Sequence, residues 1–321
     1  MDITISSLNE NKLDILLGYG NGTFQSQKYH LMNDIAYFVT TDDFNNDNQT
    51  DLIIVHNENN NVGISIGYGN GTFQNEILFT ACTDSPLVNV IDYPLSIAIA
   101  DFNNDNHRDF LVPCKLIDRV KLIMIGSQIT YLSSQDYVTA HGPTSIVVAN
   151  FNDDNLTDFA VTNYYSNSIS VFIAIDNTNF VLTNSFPTEH KPNGLAVGDF
   201  NGDNIMDIVT VSCQSLSLSV LIGYGNGYFE KQKIHSTIGC SYSISVGDLN
   251  GDTYLDIVIE NRNSSVTIYL GYGNGDFQSP LEISTSYLPT FVTLNDFNND
   301  GRLDIITAHY HGYLNLFLNE C

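Results

Sequence analysis

The 321-residue chain is predicted to be all-β, a seven-bladed β-propeller of four-stranded antiparallel blades with incomplete first and last blades. Three observations predict it. A nine-residue Asp/Asn pattern recurs six times, its ninth positions spaced by 58, 49, 49, 49 and 48 residues. Between the copies lie short, β-branched runs of four to eight residues bounded by turns. A Gly-Tyr-Gly-Asn-Gly turn recurs at Gly18–Gly22, Gly67–Gly71, Gly223–Gly227 and Gly271–Gly275. A period near 49 lies in the range of propeller blades, and runs this short and turn-bounded read as strands. No run suggests a helix of three turns.

The elements follow in order. Asp2 lies 49 residues before Asp51 and is followed by Ile-Thr-Ile, much as Asp256 is followed by Ile-Val-Ile. The chain is therefore expected to start inside a unit, just after its loop. Its first blade has three strands, Asp2–Ser7, Leu13–Leu17 and Phe24–His30. Five complete blades follow. The clearest has strands Ser243–Leu249, Asp256–Glu260, Ser265–Leu270 and Phe277–Ser284, the last two joined by the glycine turn. Glycine there permits positive φ and a tight reversal. Two units carry Gly126-Ser-Gln and Asp176-Asn-Thr-Asn instead. The last blade has Thr290–Asn295, Asp304–Ala308 and Tyr313–Leu318, which makes 26 strands where a full set has 28. The first blade is expected to lack its inner strand and the last its outer one. That fits a fragment or trimmed chain, or a ring that closes imperfectly; six blades with leftover strands is the alternative. Residues 1–321 are expected to form one propeller domain.

The recurring pattern is a metal loop. Its copies are Asp43/Asn45/Asp47/Asp51, Asp101/Asn103/Asp105/Asp109, Asn150/Asn152/Asp154/Asp158, Asp199/Asn201/Asp203/Asp207, Asp248/Asn250/Asp252/Asp256 and Asp296/Asn298/Asp300/Asp304. Oxygen ligands at positions one, three and five of a tight turn converge on a hard cation, and a site of six to eight oxygens suits Ca²⁺. Position seven offers its carbonyl whatever its side chain: Gln49, His107, Leu156, Ile205, Tyr254 and Arg302. Position nine opens the outgoing strand and can add a carboxylate. Position six is Asn48, Asn106, Asn155, Asn204, Thr253 or Gly301, types that tolerate left-handed backbone except for Thr253. Position two is Phe44, Phe102, Phe151, Phe200, Leu249 or Phe297, expected to point into the core between blades. An ion-free Asx-turn reading suits one copy better than six. The third loop is the weakest, because Asn150 replaces the first carboxylate. About six Ca²⁺ are expected.

Charge and cysteine usage narrow the partners. Net charge is −25, from 36 acidic and 11 basic residues, which argues against nucleic acid. Six bound Ca²⁺ would reduce it to −13; without metal the loop carboxylates repel, so ions and folding should be coupled. No hydrophobic run is long enough to span a bilayer, and no signal peptide is visible. The five cysteines match no metal spacing; one or two disulfides, or buried and free thiols, are both open readings.

The pattern resembles the FG-GAP and VCBS-like repeat family, best known from the seven-bladed heads of integrin alpha chains. The resemblance is carried by Gly198-Asp199-Phe200-Asn201-Gly202-Asp203 with Asp207-Ile208-Val209, and by Leu221-Ile222-Gly223 through Gly227-Tyr228-Phe229. It covers nearly the whole chain. It implies that the loop Asp and Asn residues are Ca²⁺ ligands on one face of the ring, bracing the hairpins. The family includes adhesion receptors, lectin-like proteins and domains attached to enzymes. No leg domain or membrane anchor is recognisable, so an integrin role is not expected.

Strand direction places the Ca²⁺ loops and glycine turns on one face. The other face carries the second-to-third strand turns, such as Cys114–Arg119, Tyr164–Asn167, Cys213–Ser217 and His309–His311, and the blade links Asp84–Tyr93, His141–Pro143 and His190–Asn193. A protein or carbohydrate ligand is expected there, and a monomer. The expected function is a non-catalytic, Ca²⁺-binding recognition or adhesion module in an extracellular or cell-surface setting. One alternative is a lectin-like propeller; the other is part of a polysaccharide-acting enzyme. No Gly-x-Ser-x-Gly elbow, His-Glu-x-x-His or phosphate-binding glycine loop supports catalysis. Five Asn-x-Ser/Thr sequons, at Asn21, Asn48, Asn70, Asn155 and Asn263, fit a glycoprotein. His309 with His311 is a weak metal pair without a third ligand.

Overall fold

A computed structural model describes residues 2–6, 11–56, 59–82, 95–309 and 312–320. Seven antiparallel sheets follow one another along the chain, each with its strands in sequence order. The first blade pairs Ile3–Ser6, Lys12–Leu16 and Lys28–Leu31. The second pairs Phe38–Asp42, Asp51–His56, Asn61–Ser65 and Ile77–Thr80, and the third Ala98–Ala100, Asp109–Cys114, Arg119–Gly126 and Thr130–Val138. The fourth holds Pro143–Ala149, Asp158–Asn163, Ser168–Ala174 and Phe180–Pro187, and the fifth Pro192–Gly198, Asp207–Ser212, Ser217–Leu221 and Lys233–Ser236. The sixth holds Ile244–Gly247, Asp256–Asn261, Ser265–Tyr269 and Leu281–Ser284; the seventh, Pro289–Asn295, Asp304–His309 and Leu314–Phe317. This is the expected seven-bladed propeller with three-stranded first and last blades. The helical content of the described residues is one 3₁₀ turn, Ser127–Ile129.

The first strands of the third to seventh blades adjoin one another in turn along the inner wall of the ring. In the second to sixth blades the second and third strands are buried along nearly their whole lengths on both faces, because each sheet is packed between two neighbours, whereas the strands of the first blade and the third strand of the seventh are partly exposed. Such strands carry an apolar run at their centre, Leu52–Val55 in the second blade and Phe159–Val161 in the fourth, between buried polar ends. The outer strands alternate or lie exposed.

Where the glycine turn is present, the outer strand starts later than expected. In the sixth blade Gly271 and Phe277 form a single bridge, and the ladder resumes only at Leu281. Phe277 is drawn into the core between blades, where it meets Phe200 edge-on at 6.1 Å.

Seven hydrophobic clusters fill the seven gaps between blades. The position-two side chains enter them as expected. Phe102 meets Phe180 and Phe151 meets Phe229, each pair reaching from one blade to the next. The gap between the seventh and first blades is filled in the same way, by Phe297 and Ile306 against Ile3, with Leu16 and Phe24 beside them. The ring therefore closes by packing. Where the first blade has no inner strand, Phe38 of the second blade meets Phe291 of the seventh, centroids 6.2 Å apart.

Two cysteine pairs are bonded, Cys82–Cys114 and Cys213–Cys240. The first joins the end of the second blade to the third. The second joins a turn of the fifth blade to the link entering the sixth.

Candidate metal centres and the opposite face

Each metal loop is built around backbone amides that its side chains collect. In the first loop the Asp47 N–H donates to Asp43 Oδ1 at 3.0 Å and to Asn45 Oδ1 at 3.1 Å. The Asn48 N–H donates to Asp43 Oδ2 and the Gln49 N–H to Asp47 Oδ1, at 2.8 and 2.7 Å. Asn45 Nδ2 donates to Asp47 Oδ2. The oxygens of positions one, three and five are thus turned inward over one short segment.

Four of the other loops repeat the arrangement residue by residue. In the second, the Asp105 N–H donates to Asp101 and Asn103, the His107 N–H to Asp105, and Asn103 Nδ2 to Asp105 Oδ2. In the fourth, the Asp203 N–H donates to Asp199 and Asn201, the Ile205 N–H to Asp203, and Asn201 Nδ2 to Asp203. In the fifth, the Asp252 N–H donates to Asp248 and Asn250, the Tyr254 N–H to Asp252, and Asn250 Nδ2 to Asp252. In the sixth, the Asp300 N–H donates to Asp296 and Asn298, the Arg302 N–H to Asp300, and Asn298 Nδ2 to Asp300.

Position six has positive φ in all six loops, including Thr253 at 74°. Position four does too, at Asn46, Asn104, Asp153, Gly202, Gly251 and Asn299, which was not anticipated. The signal was there: every copy has Asn, Asp or Gly at that position, residue types that tolerate the left-handed region.

Position nine has a second task. The Asp51 carboxylate is fully buried and accepts one N–H from Phe44 inside the loop and one from Gly67, 16 residues on, both at 2.8 Å. Asp109, Asp158, Asp207, Asp256 and Asp304 make the equivalent pair of bonds. Asp2 makes the second of them, accepting from Gly18 at 2.8 Å. Each of these residues clamps the start of its strand to the glycine turn or its replacement. Burial pushes Asp109, Asp158 and Asp207 up to about 6, against the pull of the two N–H bonds, and nearby loop carboxylates add to the rise. Asp51 and Asp256 shift upward for the same reasons.

The expected ligands therefore sit differently from a ready-made ion cage. Among the described residues no group of three His, Cys, Asp or Glu is gathered tightly enough to hold an ion alone. Asp47, Asp105, Asp252 and Asp300 each spend one oxygen on a backbone N–H and the other on an Asn side chain. Asn45, Asn103, Asn250 and Asn298 each accept the N–H two residues on. The physical reason is local: a tight turn leaves its N–H groups free, and the nearest acceptors are these same oxygens. The donor set still fits a hard cation, being all oxygen, mixed carboxylate and amide, at alternate positions. Ionised carboxylate oxygens retain lone pairs after accepting one N–H each. Asn side chains and the position-seven carbonyls would have to complete any shell.

Two loops differ. In the third, Asn150 Oδ1 reaches the Asn152 and Asp154 amides at only 3.3 Å, and the buried Asn152 Oδ1 has no donor. In the sixth, the Arg302 backbone and guanidinium N–H groups both donate to Asp300 and hold that carboxyl below its usual range.

The loop face repeats itself. Gly22, Gly227 and Gly275 each donate an N–H to the position-two carbonyl of the preceding blade, Phe297, Phe151 and Phe200. In the last blade Asn319 Nδ2 takes that role on Leu249 O at 2.7 Å.

The opposite face repeats in its backbone, where Met32, Ala81, Thr139, Thr188, Thr237 and Thr285 donate N–H bonds to the carbonyls of Asn11, Asn60, Asp118, Asn167, Leu216 and Ser264, but its side chains do not repeat. Lys115 lies 4.5 Å from the centre of the Tyr164 ring, and Lys191 lies 5.2 Å from the same ring. Arg262 lies over Tyr242 at 5.1 Å. Tyr165 packs against His141, which shares a 2.8 Å contact with Asp118. Both ring nitrogens of His309 are in contact, with Thr307 Oγ1 and Tyr287 O, and the side chain is nearly buried. That is a packing role. His311 and the link Asp84–Tyr93 lie outside the described residues. Glu260 was not singled out from sequence. It is fully buried, its Oε1 accepts the Tyr242 and Ser243 amides, and its Oε2 has no partner. Its signal was an acid inside an otherwise apolar strand, Asp256-Ile-Val-Ile-Glu260.

This repeated clamp-and-loop unit defines a repeat propeller, and the family follows from sequence. A model of the FG-GAP-like repeat matches residues 43–112, 131–210 and 248–307, and the chain belongs to that family. No curated protein matches it in sequence. Several solved structures share the fold. BBS1N, solved in complex with ARL6DN, is 12% identical, with a TM-score of 0.69 over 99% of this chain and 87% of that one. An Agrocybe aegerita lectin, solved for its specific recognition of non-reducing terminal N-acetylglucosamine, is 14% identical, with a TM-score of 0.63 over 99% and 90%. A putative 6-phosphogluconolactonase from Bacteroides uniformis is 11% identical, with a TM-score of 0.65 over 89% and 82%. At these identities the likeness is one of fold.

Proposed function

We propose that this protein is a non-catalytic recognition module, braced by Ca²⁺ on its loop face and binding its ligand on the opposite face. The observation that carries this is the contrast between the faces. One repeats the same Asp and Asn side chains and their hydrogen bonds loop after loop, as a brace would; on the other only the backbone turns repeat, while among the described residues the side chains change from blade to blade and include part-exposed aromatic and cationic groups. The Ca²⁺ ligands are the Asp and Asn side chains at positions one, three and five, the position-seven carbonyls and the position-nine carboxylates. An extracellular or cell-surface setting is supported by two disulfides and by loops suited to abundant Ca²⁺.

A carbohydrate is the ligand class best supported within this reading. Tyrosine rings offer flat apolar surface with a polar tip, and one solved structure of the same fold is a sugar-binding lectin.

Two experiments test the proposal. Calcium calorimetry on EDTA-stripped protein should show about six equivalents bound and a higher melting temperature, from mass action on the folded state. An unchanged melt without heat of binding rejects the brace. The calcium-loaded protein on a glycan array should retain a subset of sugars, and lose them in a Tyr164→Ala/Tyr242→Ala variant that melts normally. Binding that survives both substitutions rejects this face as the site.

A further inference from the structure

We propose, resting on the recognition reading above, that the third-to-sixth-blade sector of the non-repeating face is a subsite for an acidic sugar, its carboxylate received by Lys115, Lys191 and Arg262 and its ring by the neighbouring tyrosines.

The first argument is convergence. Tyr164 follows the second strand of the fourth blade and meets Lys115 from the third blade and Lys191 from the link to the fifth, at 4.5 and 5.2 Å. Tyr242 leads into the inner strand of the sixth blade, and Arg262 follows that blade's second strand and lies 5.1 Å from the Tyr242 ring. The Tyr242 carbonyl comes so close to Gly194 that a Cβ there would meet it at 2.7 Å, and Gly194 belongs to the segment that Lys191 opens. The two cation–tyrosine groups therefore sit on adjoining turns and links of one face.

The second argument is charge. The chain has only 11 basic residues against 36 acidic ones. Lys12, Arg108, Arg119, Lys121, Lys233 and Arg302 each lie within 4.0 Å of an Asp oxygen. Among the described residues Lys115, Lys191 and Arg262 have aromatic rings as partners and no carboxylate at that distance. Lys115 and Lys191 share one ring, so they repel. Burial, and then the Lys191 charge, push the Lys115 ammonium below its usual range. Like charges held together with no carboxylate of the described residues within 4.0 Å favour an incoming anion. The nearby Glu260 does not supply one: burial lifts it to about 8, so it is protonated at neutral pH.

The third argument is preorganisation. Cys114 precedes Lys115 and is tied to Cys82; Cys240 stands two residues before Tyr242 and is tied to Cys213. Lys191 is held at φ 57°, which L-residues rarely adopt, with its N–H donated to Asn167 Oδ1 and its carbonyl accepting from Asn193 Nδ2. Both disulfides and an Asn clamp thus fix the segments that carry the cluster, which lowers the ordering cost of binding.

A compact anion fits this better than an extended one. The surrounding protein carries a net charge of −25, which repels long polyanions. The tyrosine rings favour an anion borne on a sugar over a bare ion.

The test is titration of the calcium-loaded protein with sialylated and uronate-bearing oligosaccharides, each beside its methyl ester. The expected result is binding of the free acids, at least tenfold weaker for the esters and weakening as NaCl is raised. Lys115→Gln/Lys191→Gln and Arg262→Gln should each weaken acid binding at least tenfold while keeping the wild-type melt. Equal affinity for acid and ester overturns the acidic class and leaves the recognition reading standing. Unchanged binding in the variants overturns the assignment of these cations. Binding of acidic peptides with no acidic sugar bound overturns the sugar. Neutral sugars bound on the array but no acidic one here also overturns the inference alone. A failure on both overturns it together with the carbohydrate reading.

Discussion

Asp207 shows how one residue type does two jobs. Its carboxylate belongs to the pattern of a metal loop, yet both oxygens already accept buried amides, from Phe200 and Gly223. Hydrogen bonds to charged groups are each worth about 1.5–3 kcal/mol. Part of that is offset by the cost of burying the carboxylate. Asp207→Ala is therefore expected to cost about 2–4 kcal/mol by urea denaturation in EDTA, where metal plays no part. Asp2→Ala removes only the Gly18 bond at an exposed residue and should cost about 1 kcal/mol or less. Equal costs would contradict the clamp. Glu260 gives a pH prediction at the same scale. Its folded pKa is lifted by burial to about 8, above the ordinary glutamate value of 4.5. The native state thus keeps a proton that the unfolded chain gives up. The corresponding stability is complete below pH 4.5 and is lost as pH rises through about 8. The loss should be on the order of a few kcal/mol. Glu260→Gln keeps an acceptor for the Tyr242 and Ser243 amides and should flatten that slope between about pH 5 and 8. A slope unchanged by the substitution would assign it to other groups.

At the scale of the element, the blade is a poor unit by itself. Its middle strands are buried on both faces and need a neighbour on each side. The disulfides act at the joints: each crosses from one blade to the next, closing segments of 32 and 27 residues. Bridges of this kind typically contribute about 2–4 kcal/mol each, largely by restricting the unfolded chain. Reduction at constant Ca²⁺ should therefore lower the melting temperature by several degrees. It should also weaken ligand binding on the non-repeating face, because the cluster hangs from Cys114 and Cys240. A melt indifferent to reduction would mean that the pairs are not formed in solution.

For the whole molecule the decisive joint is between the last and first blades. Gly22 donates to Phe297 O there, and Asn299 Nδ2 to Gly20 O, across nearly the full chain length. Phe297→Ala should cost about 3–5 kcal/mol, as large-to-small core substitutions do. Phe151→Ala, at an interior joint, is the comparison. Similar values in guanidinium would mean that the ring is closed as firmly there as elsewhere. A cost below about 1 kcal/mol for Phe297 alone would mean an open ring.

Much of this was legible in sequence because a repeat reports itself many times. Six copies of one Asp/Asn pattern at a period near 49 imply blades, strand order, the loop face and the inward Phe at position two. Periodicity averages away the ambiguity of any one short apolar run. The late start of the outer strands was not legible, since Phe277 leaves the ladder for a neighbour that only packing supplies. The double use of position nine was also hidden, because a capping carboxylate and a metal-ligating one are the same residue at the same spacing. The same ambiguity covers pairs such as Asn103 with Asp105 and Asn250 with Asp252, whose oxygens hold the turn together by accepting its N–H groups. Most of all, the gathering of Lys115, Lys191 and Arg262 had no local signal. They lie in three different blades or links, separated by 76 and 71 residues. Local chemistry and repetition are written along the chain; the meeting of single, unrepeated side chains depends on ring curvature and closure, which exist only once all the blades have packed.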